Sequence, residues 1–184
     1  MYKGWLPALA GAAAMLAQTP HPQSTKYGVG RAATPEEIGA WDISIAPDGT
    51  GLPEGSGTPA QGKDVYASKC AKCHGGQGQG GDEGPLVGGK GTLASAKPLK
   101  TVGSYWPYAT TLFDYVRRAM PYKQPGTLTT NQVYAVSAYV LFLNGIIPET
   151  AVLDAKSLPQ VKMPNRNGFV GDPRPDVGPK RAAK

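Results

Sequence analysis

The sequence predicts an all-α domain with a long irregular arm on each side. Three observations carry this. Helix-start signals stand at Thr58, near Pro107 and at Thr129 in the middle of the chain, while no segment shows the sustained alternation of a half-buried strand. With 25 glycines and 18 prolines in 184 residues, and 40% hydrophobic residues, the chain is loop-rich with a modest core of its own. The only two cysteines stand together in Cys70-Ala71-Lys72-Cys73-His74.

Residues 1–17 read as a signal peptide. Lys3 gives a short positive start, Trp5 to Ala17 is an Ala/Leu-rich apolar run, and Ala14 and Ala17 offer cleavage points before Gln18. The run is shorter than the about 20 apolar residues of a membrane-spanning helix. Export to the periplasm with no stable membrane span is therefore expected. An uncleaved anchor or a buried helix is the competing reading.

Residues 18–57 form an N-terminal extension with one short helix, signalled by Thr34 as N-cap, Pro35 in the first turn and Glu37 closing a capping box. The stretch from Ala46 to Pro53 is a chain of turn signals.

Residues 58–147 form the central domain. Its first helix starts with Thr58, Pro59 and Gln61 and runs through Val65 and Tyr66 into the cysteines. A second starts near Pro107, carries Leu112, Phe113, Val116 and Met120 on one face, and stops at Pro121. The last starts at Thr129, with Gln132 three residues on, presents Val133, Val136, Val140 and Leu143, and ends at Gly145. Between the first two, the run from His74 to Gly81 lacks the context and the Lys-Ser/Thr ending of a phosphate loop and reads as a loop crossing near the cofactor. Residues 148–184 form a Pro-rich C-terminal extension ending in Lys180, Arg181 and Lys184.

Cys70, Cys73 and His74 spell the attachment signature of a c-type haem. Thiols at this spacing add to the two vinyl groups on one edge of a porphyrin, and the next residue is placed to give an imidazole nitrogen to the iron. Competing readings are weaker. A structural zinc site wants four N/S ligands, and the chain offers two thiols, His74 and the distant His21. A redox CxxC is expected beside a βαβ pattern, and a bare disulfide has no use for His74. A covalent haem would also supply apolar volume that the chain lacks.

The iron's second face needs its own ligand. His21, the only other histidine, lies in the N-terminal stretch, and Met1 and Met15 lie in the leader, which leaves Met120 and Met163. Met120 ends a helix, precedes Pro121 and leads into the last loop, so it is favoured. Met163 also precedes a proline but lies beyond the last helix. A gap-filling core methionine is the bland reading of either, and an open sixth position would permit peroxidase-like chemistry. Methionine and histidine together raise the reduction potential.

Around the iron, the Pro85 carbonyl is the candidate acceptor for the other ring N–H of His74, a bond that would make the imidazole a stronger donor. Tyr105, Trp106 and Tyr108 are candidates to pack on the ring or bond a propionate. Arg117, with Arg118 and Lys123, brackets Met120 as a propionate partner or docking rim. Ordinary core aromatics and a solvated helix face are the competing readings. The net charge is +6, about +5 once Lys3 leaves with the leader. In an exported haem protein this charge suits an acidic redox partner, not nucleic acid.

These residues resemble class I cytochrome c: Gly62 and Tyr66, CAKCH, Gly84-Pro85-Leu86, a methionine-proline pair, and Ala138-Tyr139-Val140 on the final helix. The resemblance implies a class I cytochrome c-like helical core around one covalent haem, with Gly62 and the final-helix aromatic letting the first and last helices cross closely. A narrower similarity reaches from Lys26 to Val177. YGVGRAATPEEIGAWDISIAPDGTGLPEGSGT, VGSYWPYATTLFDYVRRAMPYKQPGTLT and VKMPNRNGFVGDPRPDV are similar to the cytochrome c subunits of bacterial sulfur-compound dehydrogenases. These include SoxD, which partners the molybdenum subunit of sulfane dehydrogenase, and the cytochromes paired with sulfite dehydrogenases. Some members carry a second haem; this chain has no second CxxCH, so one haem is expected.

The resemblance implies an electron-transfer subunit with no catalytic residues of its own. Electrons would leave a molybdopterin-containing dehydrogenase subunit, pass through this haem and continue to a downstream cytochrome or terminal oxidase, and the arms would lie along the partner. A freestanding carrier for several donors and a peroxidase-like haem enzyme are the alternatives.

Overall fold

The computed structural model describes residues 31–172 and 174. The expected leader, residues 1–17, and His21 lie outside them. Helix α1 (Pro35–Trp41) opens the described chain, followed by strand β1 (Ser56–Gly57), α2 (Pro59–Lys69), α3 (Ala71–His74), α4 (Ala109–Ala119), α5 (Thr130–Leu143), strand β2 (Leu153–Asp154) and a 3₁₀ turn at Leu158–Gln160.

Three helix starts form as expected. Thr34, Thr58 and Thr129 each accept the backbone N–H three residues on, while Glu37, Gln61 and Gln132 reach back to the cap. Each reciprocal pair satisfies two N–H groups that a bare helix end would leave orphaned.

Helix α5 is the centre of the molecule. Every residue from Val133 to Leu141 is buried, Tyr134, Ser137 and Ala138 included. A helix apolar nearly all round is covered on all sides. Helices α2 and α4 and both short strands pack on it. The tightest approach is at Gly62, where a Cβ would fall 1.9 Å from the Ala135 carbonyl oxygen and 2.8 Å from the Tyr139 Cβ. Only a residue without a side chain lets the two backbones come this close. Beside it the Tyr66 and Tyr139 rings meet at 5.3 Å, and Phe113 of α4 meets Tyr134 at 4.5 Å.

The arms are irregular, as expected, but the C-terminal one contributes side chains to the core. Leu153, Leu158, Val161 and Met163 are all buried in the same cluster as α5. Strand β2 pairs antiparallel with β1, Ser56 opposite Asp154 and Gly57 opposite Leu153, and so joins the two flanks of the domain. Helix α1 differs: it buries none of its residues, and Trp41 is 87% exposed.

Candidate haem site

Helices α2 and α3 deliver the two thiols. Cys70 caps the end of α2 and the start of α3, and its carbonyl accepts the N–H groups of Cys73 and His74 at 3.1 and 3.0 Å. The four-residue helix thus sets the thiols three positions apart on one face, with His74 following. Both cysteines are free and half-buried. Burial, and then the neighbouring Cys73, pushes the Cys70 thiol up to about 11, so it is protonated at neutral pH.

His74 is oriented by the loop that follows it. Its Nδ1 lies 2.9 Å from the carbonyl oxygen of Gly84, so the acceptor is Gly84 and not the expected Pro85. The loop's own pairing explains the one-residue difference. Glu83 N–H donates to the Cys73 carbonyl at 2.9 Å, and Leu86 and Val87 both donate to Gly78 at 2.9 and 3.0 Å. Doubling the strand back from Glu83 places the very next carbonyl against the imidazole, while half-buried Pro85 sits one residue past it. With Nδ1 committed as donor, Nε2 carries the free lone pair.

Tyr66 secures the far end of this turn. Its hydroxyl donates to the Gly75 carbonyl at 2.9 Å. Burial foremost, then the Cys70 and Tyr139 charges, pushes the phenol up to about 12 and keeps the donor protonated.

The remaining candidates come from the segments around α4. Met120 is the half-buried C-cap of α4, its N–H bonded to Val116 at 3.1 Å. Met163 is 3% exposed within the core cluster, in the position of a packing residue. Trp106 packs half-buried against the core and meets Tyr115 edge-on at 5.8 Å. Tyr105 faces Phe169 at 5.2 Å with the Lys100 ammonium over its ring, and Tyr108 lies under the Arg166 guanidinium at 4.8 Å. The Arg117 guanidinium points at the Ile43 carbonyl, 3.5 Å away, beside the end of α1. Arg118 pairs with Asp114 one turn earlier on α4.

One residue that shapes the site carried little sequence signal of its own: Asn144 is a single amide that bonds a distant loop, at Leu86. Away from that loop, Asn165 bonds the Tyr105 carbonyl. A polar residue ending the apolar α5 just before Gly145 was the one available hint for Asn144.

The donor set suits haem c. Two free thiols at attachment spacing, an imidazole with one nitrogen committed and a half-buried thioether are the groups it takes. Leu86, Trp106 and Val116 pack on the core while staying part-exposed.

Comparison with known proteins agrees. Residues 57–140 match the family model described as cytochrome c oxidase, cbb3-type, subunit III. No curated protein matches the chain at comparable stringency. Among solved structures, the crystal structure of the sulfane dehydrogenase SoxCD from Paracoccus pantotrophus contains a chain that is 46% identical. The match covers 81% of this chain and 74% of that one with a TM-score of 0.76. The haem c fold, the helical order and this degree of identity place the chain among the c-type cytochromes, in the group that includes the cytochrome c subunit of SoxCD.

Proposed function

We propose that this cytochrome is a periplasmic, mono-haem electron-transfer subunit of a molybdenum-containing sulfur-compound dehydrogenase. One observation carries the choice of partner: the likeness to the SoxCD chain covers 81% of the sequence, well beyond the haem domain at residues 57–140. An identity of 46% over that length, flanks included, supports a shared kind of partner.

In this reading Cys70 and Cys73 would hold the haem through two thioether bonds, and His74 Nε2 and the Met120 sulfur would be the iron's protein ligands. Bound haem supplies a reversible one-electron couple. The protein sets its properties. Gly84 keeps the imidazole oriented and basic, while Met120 favours the reduced state. Lys90, Lys97, Lys100 and Lys123 are exposed and present positive charge to an acidic partner surface.

Purification from the native host tests the proposal. A molybdenum-containing subunit should co-elute and should reduce the haem when given a sulfur substrate. A haem protein that elutes alone and accepts electrons from several unrelated donors would instead be a freestanding carrier.

A further inference from the structure

We propose that Asn144, the last cap of α5, is a positioning residue for His74. The inference rests on the haem reading above. The Asn144 side chain bonds the loop after the cysteines at two points. Its Nδ2 donates to the Leu86 carbonyl at 3.1 Å, and its Oδ1 accepts the Gly88 N–H at 3.3 Å. Nδ2 also donates to Val140 at 2.8 Å, which ties the amide to its own helix. Only one orientation of the amide satisfies all three partners, since two are carbonyls and one is an N–H.

Those two contacts matter because they add side-chain anchors to the backbone bonds that flank the Gly84 carbonyl. Gly84 is exposed, and a Cβ built on it would meet nothing within 4 Å. Its direction is set by the fixed points on either side. Upstream, Glu83 is bonded to Cys73. Downstream, Leu86 and Val87 are bonded to Gly78, and Gly88 donates to Asn144 while its carbonyl accepts the Thr101 hydroxyl at 2.6 Å.

Asn144 connects this loop by hydrogen bonds to the buried helix α5, beside the packing of Leu86 on the core. The site is built tightly around it: a Cβ on Gly103 would fall 2.0 Å from Asn144 Oδ1, so the turn at 101–104 also closes on this amide.

The consequence reaches the iron through one hydrogen bond. A well-placed acceptor on Nδ1–H makes the imidazole a stronger donor and favours the oxidised metal. Loosening the 84–88 loop weakens that bond and favours the reduced state.

The test compares the full-length haem-loaded wild type with Asn144→Ala, Asn144→Ser and Asn165→Ala. Asn165→Ala is the control: it also removes an amide-to-carbonyl bond, to Tyr105, but off the His74 loop. In Asn144→Ala the reduced-to-oxidised ratio at fixed ambient potential should rise about three- to tenfold, where tenfold is about 59 mV for one electron. The His74 Nδ1–H should also exchange faster with solvent.

Asn144→Ser, too short to span both partners, should move both readouts the same way and decides the matter if the alanine variant does not fold. Asn165→Ala should lower the melting temperature with both readouts unmoved. Potentials equal to wild type in the Asn144 variants, or an equal shift in Asn165→Ala, would overturn the assignment to Asn144. A wild-type chain without covalent haem would overturn the reading beneath it.

Discussion

A Cβ placed on Gly62 would lie 1.9 Å from the carbonyl oxygen of Ala135, far inside any tolerable contact. The first and last helices of the haem domain therefore meet backbone to backbone. Gly62→Ala must push α2 off α5 and disturb the Tyr66–Tyr139 pair alongside. A loss of at least about 1–3 kcal/mol is expected, as for other overpacked sites, and thermal or urea unfolding measures it. Wild-type stability in this variant would contradict the crossing described.

The C-terminal arm serves the domain itself before it serves any partner. Ending the chain after Asp154 removes Leu158, Val161 and Met163, all at most 9% exposed. At about 1.5–3 kcal/mol for each buried side chain, the loss is comparable with the whole stability of a domain, about 5–15 kcal/mol. That truncation should fail to accumulate as folded haem protein. Only a deletion that spares Leu158 to Met163 can therefore probe partner binding.

The two methionines should separate cleanly. Met120→Ala should abolish the methionine-to-iron charge-transfer band of the oxidised protein and lower the reduction potential. Met163→Ala should keep the band and cost about 2–5 kcal/mol of stability, as large-to-small core substitutions do. The opposite pattern would exchange the roles of the two residues.

Asp154 gives the fold an acid-sensitive point. Its carboxylate accepts from Lys156 N at 2.8 Å, Ser157 N at 2.7 Å and Ser157 Oγ at 2.9 Å. These bonds, those to Ser157 foremost, hold its pKa below the ordinary carboxylate value. A lowered folded-state pKa contributes stability above the unfolded value, about 3.9, and loses it as pH falls below that through the folded value. Asp154→Asn should therefore melt below wild type at pH 7, and the gap should shrink steadily below about pH 4. A gap that stayed constant down to pH 2 would mean the carboxylate charge plays no part.

What could be read from the sequence was local. Thr34, Thr58 and Thr129 announce their helices because a capping box is complete within four residues. CAKCH fixes thiols and imidazole for the same reason. Long-range structure left no such trace. Ser56 and Asp154 pair across the whole haem domain in strands of two residues, too short for any alternation to register. Met163 and Leu158 looked like parts of an irregular tail because their burial depends on α4 and α5, not on their neighbours in sequence. The exchange of Gly84 for Pro85 as the His74 acceptor is a matter of loop register, set by backbone N–H bonds that any residue but proline can make.

The ladder between β1 and β2 also gives the domain a mechanical character. Ser56 and Asp154 are opposite each other at the end where both arms depart. Tension carried along the two arms to that point would not shear the strands past one another. It would peel them apart, one pair before the next, with the α2–α5 crossing lying beyond the peeling front. Because Leu158, Val161 and Met163 lie buried beyond Asp154, tension on the C-terminal arm is borne by the core first and reaches this two-residue fastening only after that packing has given way.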